Sequence, residues 1–181
     1  MKRYNLSEKD AMKSIQQTDK HRASYYNMNS RKKWGMKESY HLMLDSGASK
    51  RHVDVFMQQL EENGLPKPDL CILTHNHWDH TYGLGHLENV TSFATKATNE
   101  ELRKMQAWGW TDEEMKKRIE TGEASAFSYP HLNLEYPDKS LIKIATATVE
   151  YTDKLTIDLG GVTVKLKAIE NSHSYDCAVA Y

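Results

Sequence analysis

The sequence predicts a mixed α/β domain, and three observations carry that reading. The unbroken apolar run Leu70-Cys71-Ile72-Leu73 reads as a strand buried on both faces. A strand and an amphipathic helix stand directly before it, which makes a parallel βαβ unit with a right-handed crossover. Near the end of the chain, two alternating apolar segments flank Gly160-Gly161, the pattern of a β-hairpin with one buried face.

Taken in order, residues 1–37 form a basic arm. They carry ten Lys and Arg against three Asp and Glu, while the remaining residues carry 14 against 22, so a formal net charge of -1 hides a strong asymmetry. Ser7 and Asp10 could open a short helix carrying Ala11, Met12 and Ile15, but its apolar face is thin. Beyond it, Tyr25, Tyr26 and Trp34 are scattered in polar, basic sequence, which reads as a loosely docked terminus. Stacking of those aromatics on nucleic-acid bases is the minor alternative.

The domain proper runs from residue 38 to 181. Tyr40 to Leu44 reads as a strand ending in the turn Asp45-Ser46-Gly47. Ser49 then caps a helix whose Val53, Phe56, Met57 and Leu60 fall at i, i+3, i+4 and i+7. Gly64 ends that helix and Pro66 blocks its continuation. After the buried strand comes flexible backbone, Tyr82-Gly83-Leu84-Gly85-His86, and a further strand is expected near Val90 to Ala94. A helical insertion follows at about 98–122. Thr98 with Glu101, and Thr111 with Glu114, read as two capping boxes. The second helix carries Met115 and Ile119 and stops at Gly122. Trp108 and Trp110 join the two helices and are candidates for a substrate-pocket wall, or for packing the insertion onto the body. The hairpin is built on Leu155, Ile157 and Leu159, then Val162, Val164, Leu166 and Ala168. Ala178 to Ala180 begins another strand.

No apolar run approaches the ~20 residues that a membrane span needs. The start of the chain has basic residues without an apolar segment behind them, so it is not read as a secretory signal. Two cysteines, Cys71 and Cys177, make no disulfide framework, and a cytoplasmic protein is expected.

The chemistry concentrates where the buried strand ends. His75, His77, Asp79 and His80 lie within six residues. Side chains two apart in extended chain point the same way, so His75 and His77 can converge on one atom. Imidazole and carboxylate are ligands for zinc and other borderline divalent metals. Ligands in parallel sheets collect at the carboxyl ends of strands, where Asp45 also stands. His173 follows the second hairpin arm, with Ser174 and Asp176 beside it, and is the best candidate for a third imidazole.

The pattern His75-x-His77-x-Asp79-His80 after an apolar strand resembles the signature of the metallo-beta-lactamase superfamily, and the resemblance extends from about Tyr40 to Tyr181. It implies a four-layer αββα sandwich, incomplete here at its C-terminus. It further implies a metal-dependent hydrolase acting through a zinc-bound hydroxide on a small ester, lactone, amide or beta-lactam type substrate. His75, His77 and His173 would hold a first zinc ion. Asp79, as the catalytic residue, and His80 would contribute to a second, and Asp45 would order the metal loop. The family supplies strands before the segment matching Leu42 to Gly47, and residues 1–37 do not resemble them. It also supplies a bridging aspartate and a further histidine downstream of His173, which this chain lacks. A fragment, binding metal without catalysis, is therefore the alternative. The expected partners are a small-molecule substrate and, through an exposed sheet edge, a second copy of the chain, with no membrane.

Overall fold

The computed structural model describes residues 24–29, 39–159 and 162–181, with residues 24–29 and Ser39 described by their backbone. The helix read at Ser7 and the Gly160-Gly161 turn lie outside the described residues. Two sheets form the body. The first has five strands in the order β1 (Ser24–Asn29), β2 (Ser39–Leu44), β3 (Leu70–Ile72), β4 (Thr91–Thr95) and β5 (Val149–Tyr151). The second has three, β6 (Lys154–Asp158), β7 (Thr163–Ala168) and β8 (Ala178–Ala180).

From β2 to β5 the pairing is parallel, with Leu42 opposite Leu70, Leu70 opposite Thr91 and Phe93 opposite Val149. The expected βαβ unit is β2, α1 (Lys50–Glu62) and β3. Ser49 caps α1, its side chain accepting from the His52 amide, and Gly64 follows the helix with φ +63°. One segment of the basic arm departs from expectation: β1 pairs antiparallel with β2, Tyr25 opposite Met43. Its polar composition concealed it, and an edge strand tolerates such composition because only one side is paired.

Sequence periodicity decides which face each strand buries. Met43 and Cys71 point to one side of the first sheet, where they meet Phe56 and Leu60 of α1 and Leu102 of α3 (Lys96–Gln106). Leu42, Leu70, Ile72 and Phe93 point to the other side and meet Val164 and Leu166 of the second sheet. The described residues thus make three layers, helix, sheet and sheet, of the four the resemblance implies.

The insertion differs in detail from its reading. Its first helix starts earlier, because β4 runs directly into α3 and Thr95, not Thr98, caps it. Thr98 lies inside the helix and bonds Asp176, and Glu101 bonds Lys104 and Tyr175, so neither is left to build the expected box. The second helix, α4 (Asp112–Glu120), does carry the Thr111–Glu114 capping box. A third helix, α5 (Ser128–Glu135), has no counterpart in the sequence reading; Pro130 in its first turn and a pattern without an apolar face concealed it. Tyr82, Met115, Leu132 and Tyr136 form a separate small core that docks the insertion on the body.

Candidate metal centre

The site is assembled where the carboxyl ends of the parallel strands meet the open end of the second sheet. Asp45 leaves β2 with φ +57°, a left-handed conformation that aspartate tolerates better than most residues. Its amide donates to the Ile72 carbonyl at 2.8 Å, which ties the end of β2 to the end of β3. Its carboxylate accepts from the Thr74 amide at 2.7 Å and from the Thr74 hydroxyl at 2.9 Å. On its other oxygen it meets His80 Nδ1 at 2.6 Å.

This network sets the imidazole tautomers. The Thr74 hydroxyl gives its proton to Asp45, so toward His75 Nδ1, at 2.9 Å, it offers a lone pair. His75 therefore carries its proton on Nδ1 and presents Nε2 as an acceptor. By the same argument, His80 gives its Nδ1 proton to Asp45 and keeps Nε2 for a ligand. A single buried carboxylate thus orients two histidines of the loop, one directly and one through a hydroxyl.

A one-turn helix, α2 (Trp78–Thr81), follows His77 and turns Asp79 and His80 back beside the loop. Ser46 fastens it, amide and hydroxyl both reaching the His80 carbonyl at 2.7 and 3.0 Å. Gly83 sits where a Cβ would collide with the Ser46 carbonyl, so only glycine allows this close approach.

His75, His77 and His173 converge, with one nitrogen of each lying within 4.8 Å of the others. His75 Nε2 and His173 Nε2 are 3.1 Å apart. Nitrogens bound to one tetrahedral zinc at ~2.0–2.1 Å are about 3.3 Å apart, a spacing that the His75–His173 pair meets. Burial, and then the neighbouring His173, push the His77 imidazole below its ordinary range, which keeps it neutral and ready to ligate. Asp79 and His80 stand beside the cluster, His80 Nε2 lying 3.8 Å from the Asp79 carboxylate. They do not join the three-histidine group itself among the described residues.

His173 lies on the exposed loop between β7 and β8, and its placement depends on long-range contacts that the sequence does not reveal. Asp176, buried, accepts from Thr98 of α3 at 2.8 Å and from Ser174. Tyr175 donates to Glu101 of the same helix. The insertion therefore holds the loop that carries the third imidazole. Asp176→Asn keeps the side chain's shape but swaps an acceptor oxygen for a donor. The expected result is a fall in metal affinity of about 10- to 100-fold with little change in the melting temperature of the metal-free chain. Competition with a chromogenic chelator measures the first and thermal melting the second.

A cavity of about 830 Å³ opens beside the cluster, and His77, Asp79 and His173 line it. Trp108 and Trp110 line it too. Trp110 also packs into the small core of the insertion and meets Tyr82 edge-on at 5.9 Å. The tryptophans thus serve both as cavity wall and as packing.

Two facing sheets, a helical layer and a histidine cluster at the strand ends together make a layered α/β fold with a group of side chains that could hold a metal. Sequence comparison agrees, since the metallo-beta-lactamase superfamily model matches residues 37–181. The chain belongs to that superfamily. A second model, of the cytidylate kinase-like family, matches residues 1–48, a smaller stretch that falls mostly in the basic arm. No curated protein matches the chain.

Solved structures share the fold. The DIM-1 metallo-beta-lactamase is 15% identical with a TM-score of 0.52, the match covering 91% of this chain and 63% of that one. BJP-1, a subclass B3 metallo-beta-lactamase of Bradyrhizobium japonicum, is 14% identical with a TM-score of 0.54, covering 86% and 48%. A metallo-beta-lactamase of Cronobacter sakazakii with a HARLDQ motif is 17% identical with a TM-score of 0.52, covering 86% and 46%. The chain therefore spans from about half to just under two thirds of the length of these structures. Among the described residues, no helix is long and apolar enough to cross a membrane.

Proposed function

We propose that the chain is a metal-dependent hydrolase of a small ester, lactone, amide or beta-lactam type substrate, with one or two zinc ions as its metal. The observation that carries this reading is the three-imidazole cluster opening directly onto a cavity large enough for a small molecule. When bound, zinc supplies a Lewis acid and lowers the pKa of its water from about 15.7 toward about 7. In this reading His75, His77 and His173 would hold the ion, and the network from Asp45 through Thr74 leaves Nε2 of His75 free to ligate it. Asp79, on the cavity wall, accepts a hydrogen bond from the attacking water and aligns it with the substrate. His80, already oriented by Asp45, joins Asp79 in holding a second ion.

The test combines metal content per chain, read by native mass spectrometry after zinc addition, with turnover of 4-nitrophenyl butyrate. One or two ions with zinc-dependent turnover is the expected result. Zinc bound without turnover of any ester, lactone or beta-lactam would leave a metal-binding protein that is no hydrolase. No bound metal would end the proposal.

A further inference from the structure

Residues 45–49 form the turn between β2 and α1, and all five are buried. Their backbone is unusual, since Asp45 and Gly47 have φ +57° and +76°. Left-handed backbone at a residue other than glycine persists only where its surroundings hold it. The metal loop holds this turn from one side. Ser46 is bound to the His80 carbonyl, and the Gly83 amide donates to the Gly47 carbonyl at 2.8 Å.

The end of the insertion holds it from the other side. Tyr136 donates its hydroxyl to the buried Ala48 carbonyl at 2.9 Å. Glu135, the last residue of α5, accepts from the Ser49 hydroxyl and from Arg51 Nη2, the latter at 3.1 Å. It also lies 3.4 Å from His52 Nε2. His52 Nδ1 accepts from the Ala48 amide at 3.2 Å, so the imidazole carries its proton on Nε2, toward Glu135. Burial opposes the charge on Glu135, but the bonds from Arg51 and Ser49 outweigh it and hold the carboxyl below its ordinary range. It stays ionised beside the cap of α1, where a helix N-terminus favours a carboxylate.

We propose that Glu135, with Tyr136 beside it, is a positioning residue for the metal centre. The insertion fixes residues 45–49, and through them the Asp45 carboxylate that sets the hydrogen bonds of Thr74, His75 and His80. Releasing either tie leaves the turn held mainly from the metal-loop side, and its left-handed backbone can then relax. Asp45 moves with it.

The test uses the full chain with two variants and two readouts. The first readout is the low-field Nδ1–H signal of His80 in the metal-free chain, followed by proton NMR and assigned by its loss in His80→Gln. The second is zinc affinity, by competition with a chromogenic chelator. Only the second rests on the metal-binding reading. Glu135→Gln keeps the side chain's shape but exchanges an acceptor oxygen for a donor. The expected result is a shifted or broadened His80 signal and a fall in zinc affinity of about three- to tenfold. That is less than the roughly 10- to 100-fold typical of a direct partner of a ligand, because Glu135 acts at one remove. Tyr136→Phe removes the hydroxyl alone, leaves the ring in the small core, and decides the question if Glu135→Gln fails to fold. It should move both readouts the same way. Unchanged zinc affinity in both variants, or an unmoved His80 signal in both, means that the two residues only dock α5 and overturns the proposal, whatever the melting temperatures. If the parent chain binds no zinc, the metal-binding reading fails and the His80 signal alone decides whether Glu135 positions Asp45.

Discussion

Replacing His77 with alanine is expected to reduce zinc-dependent turnover by on the order of 10³-fold or more, because the acidified water depends on the held ion. His77 is the most informative of the three imidazoles to remove. It is half-buried and makes ring contacts with His75 and His173 at 4.5 and 4.7 Å, so its loss leaves the core untouched. The folded chain should persist, with a melting temperature in the absence of metal within a few degrees of the parent. Its zinc stoichiometry should fall, and the stabilisation that zinc gives the parent should vanish, since a ligand stabilises only the state that binds it. Turnover that survives the substitution unchanged would place the activity elsewhere, most simply in a contaminant.

The second large effect is expected at Asp45, through stability as well as metal binding. The carboxylate is 5% exposed and satisfies the Thr74 amide, the Thr74 hydroxyl and His80 Nδ1. Alanine would strand the buried His80 donor and the half-buried Thr74 amide, each costing about 1–3 kcal/mol, so a loss of about 2–6 kcal/mol follows. For a chain of this size that corresponds to a fall in melting temperature on the order of 10 °C. Asparagine retains one acceptor oxygen and should recover part of the stability. It should not recover the metal affinity, because only the carboxylate accepts from both sides and fixes both imidazoles. Thermal melting and chelator competition on Asp45→Ala and Asp45→Asn measure the two effects. Equal metal affinity in all three proteins would show that the Asp45 network does not orient the ligands.

Sequence reasoning reached furthest where the determinants are contiguous. Three histidines and an aspartate, His75, His77, Asp79 and His80, lie within six positions at the end of an apolar strand, so type and spacing alone pointed to metal chemistry. The αβ core was equally legible, because Ser49 and the i, i+3, i+4, i+7 pattern are local signals that the helix Lys50–Glu62 obeys. Legibility failed where a local signal was ambiguous. Thr95 and Thr98 are both good caps, and only the path of β4 into α3 selects the first. Helix α5 lacks an apolar face, and β1 looks like any polar terminal segment.

The sequence by itself determined the βαβ core, the hairpin strands, and the cluster of candidate metal ligands at the strand end, since each is encoded in residues close enough to be read as one pattern. The tertiary structure alone decided that Asp176 fastens the His173 loop to Thr98, 78 residues away, and that Glu135 reaches Ser49 across 86. It alone also decided that Arg118 stacks on the Trp108 and Trp110 indoles, two residues that line the cavity. The physical reason is that local conformation follows from neighbouring backbone and periodic burial, whereas hydrogen-bond partners and the charge lining a cavity are fixed only when distant segments pack together.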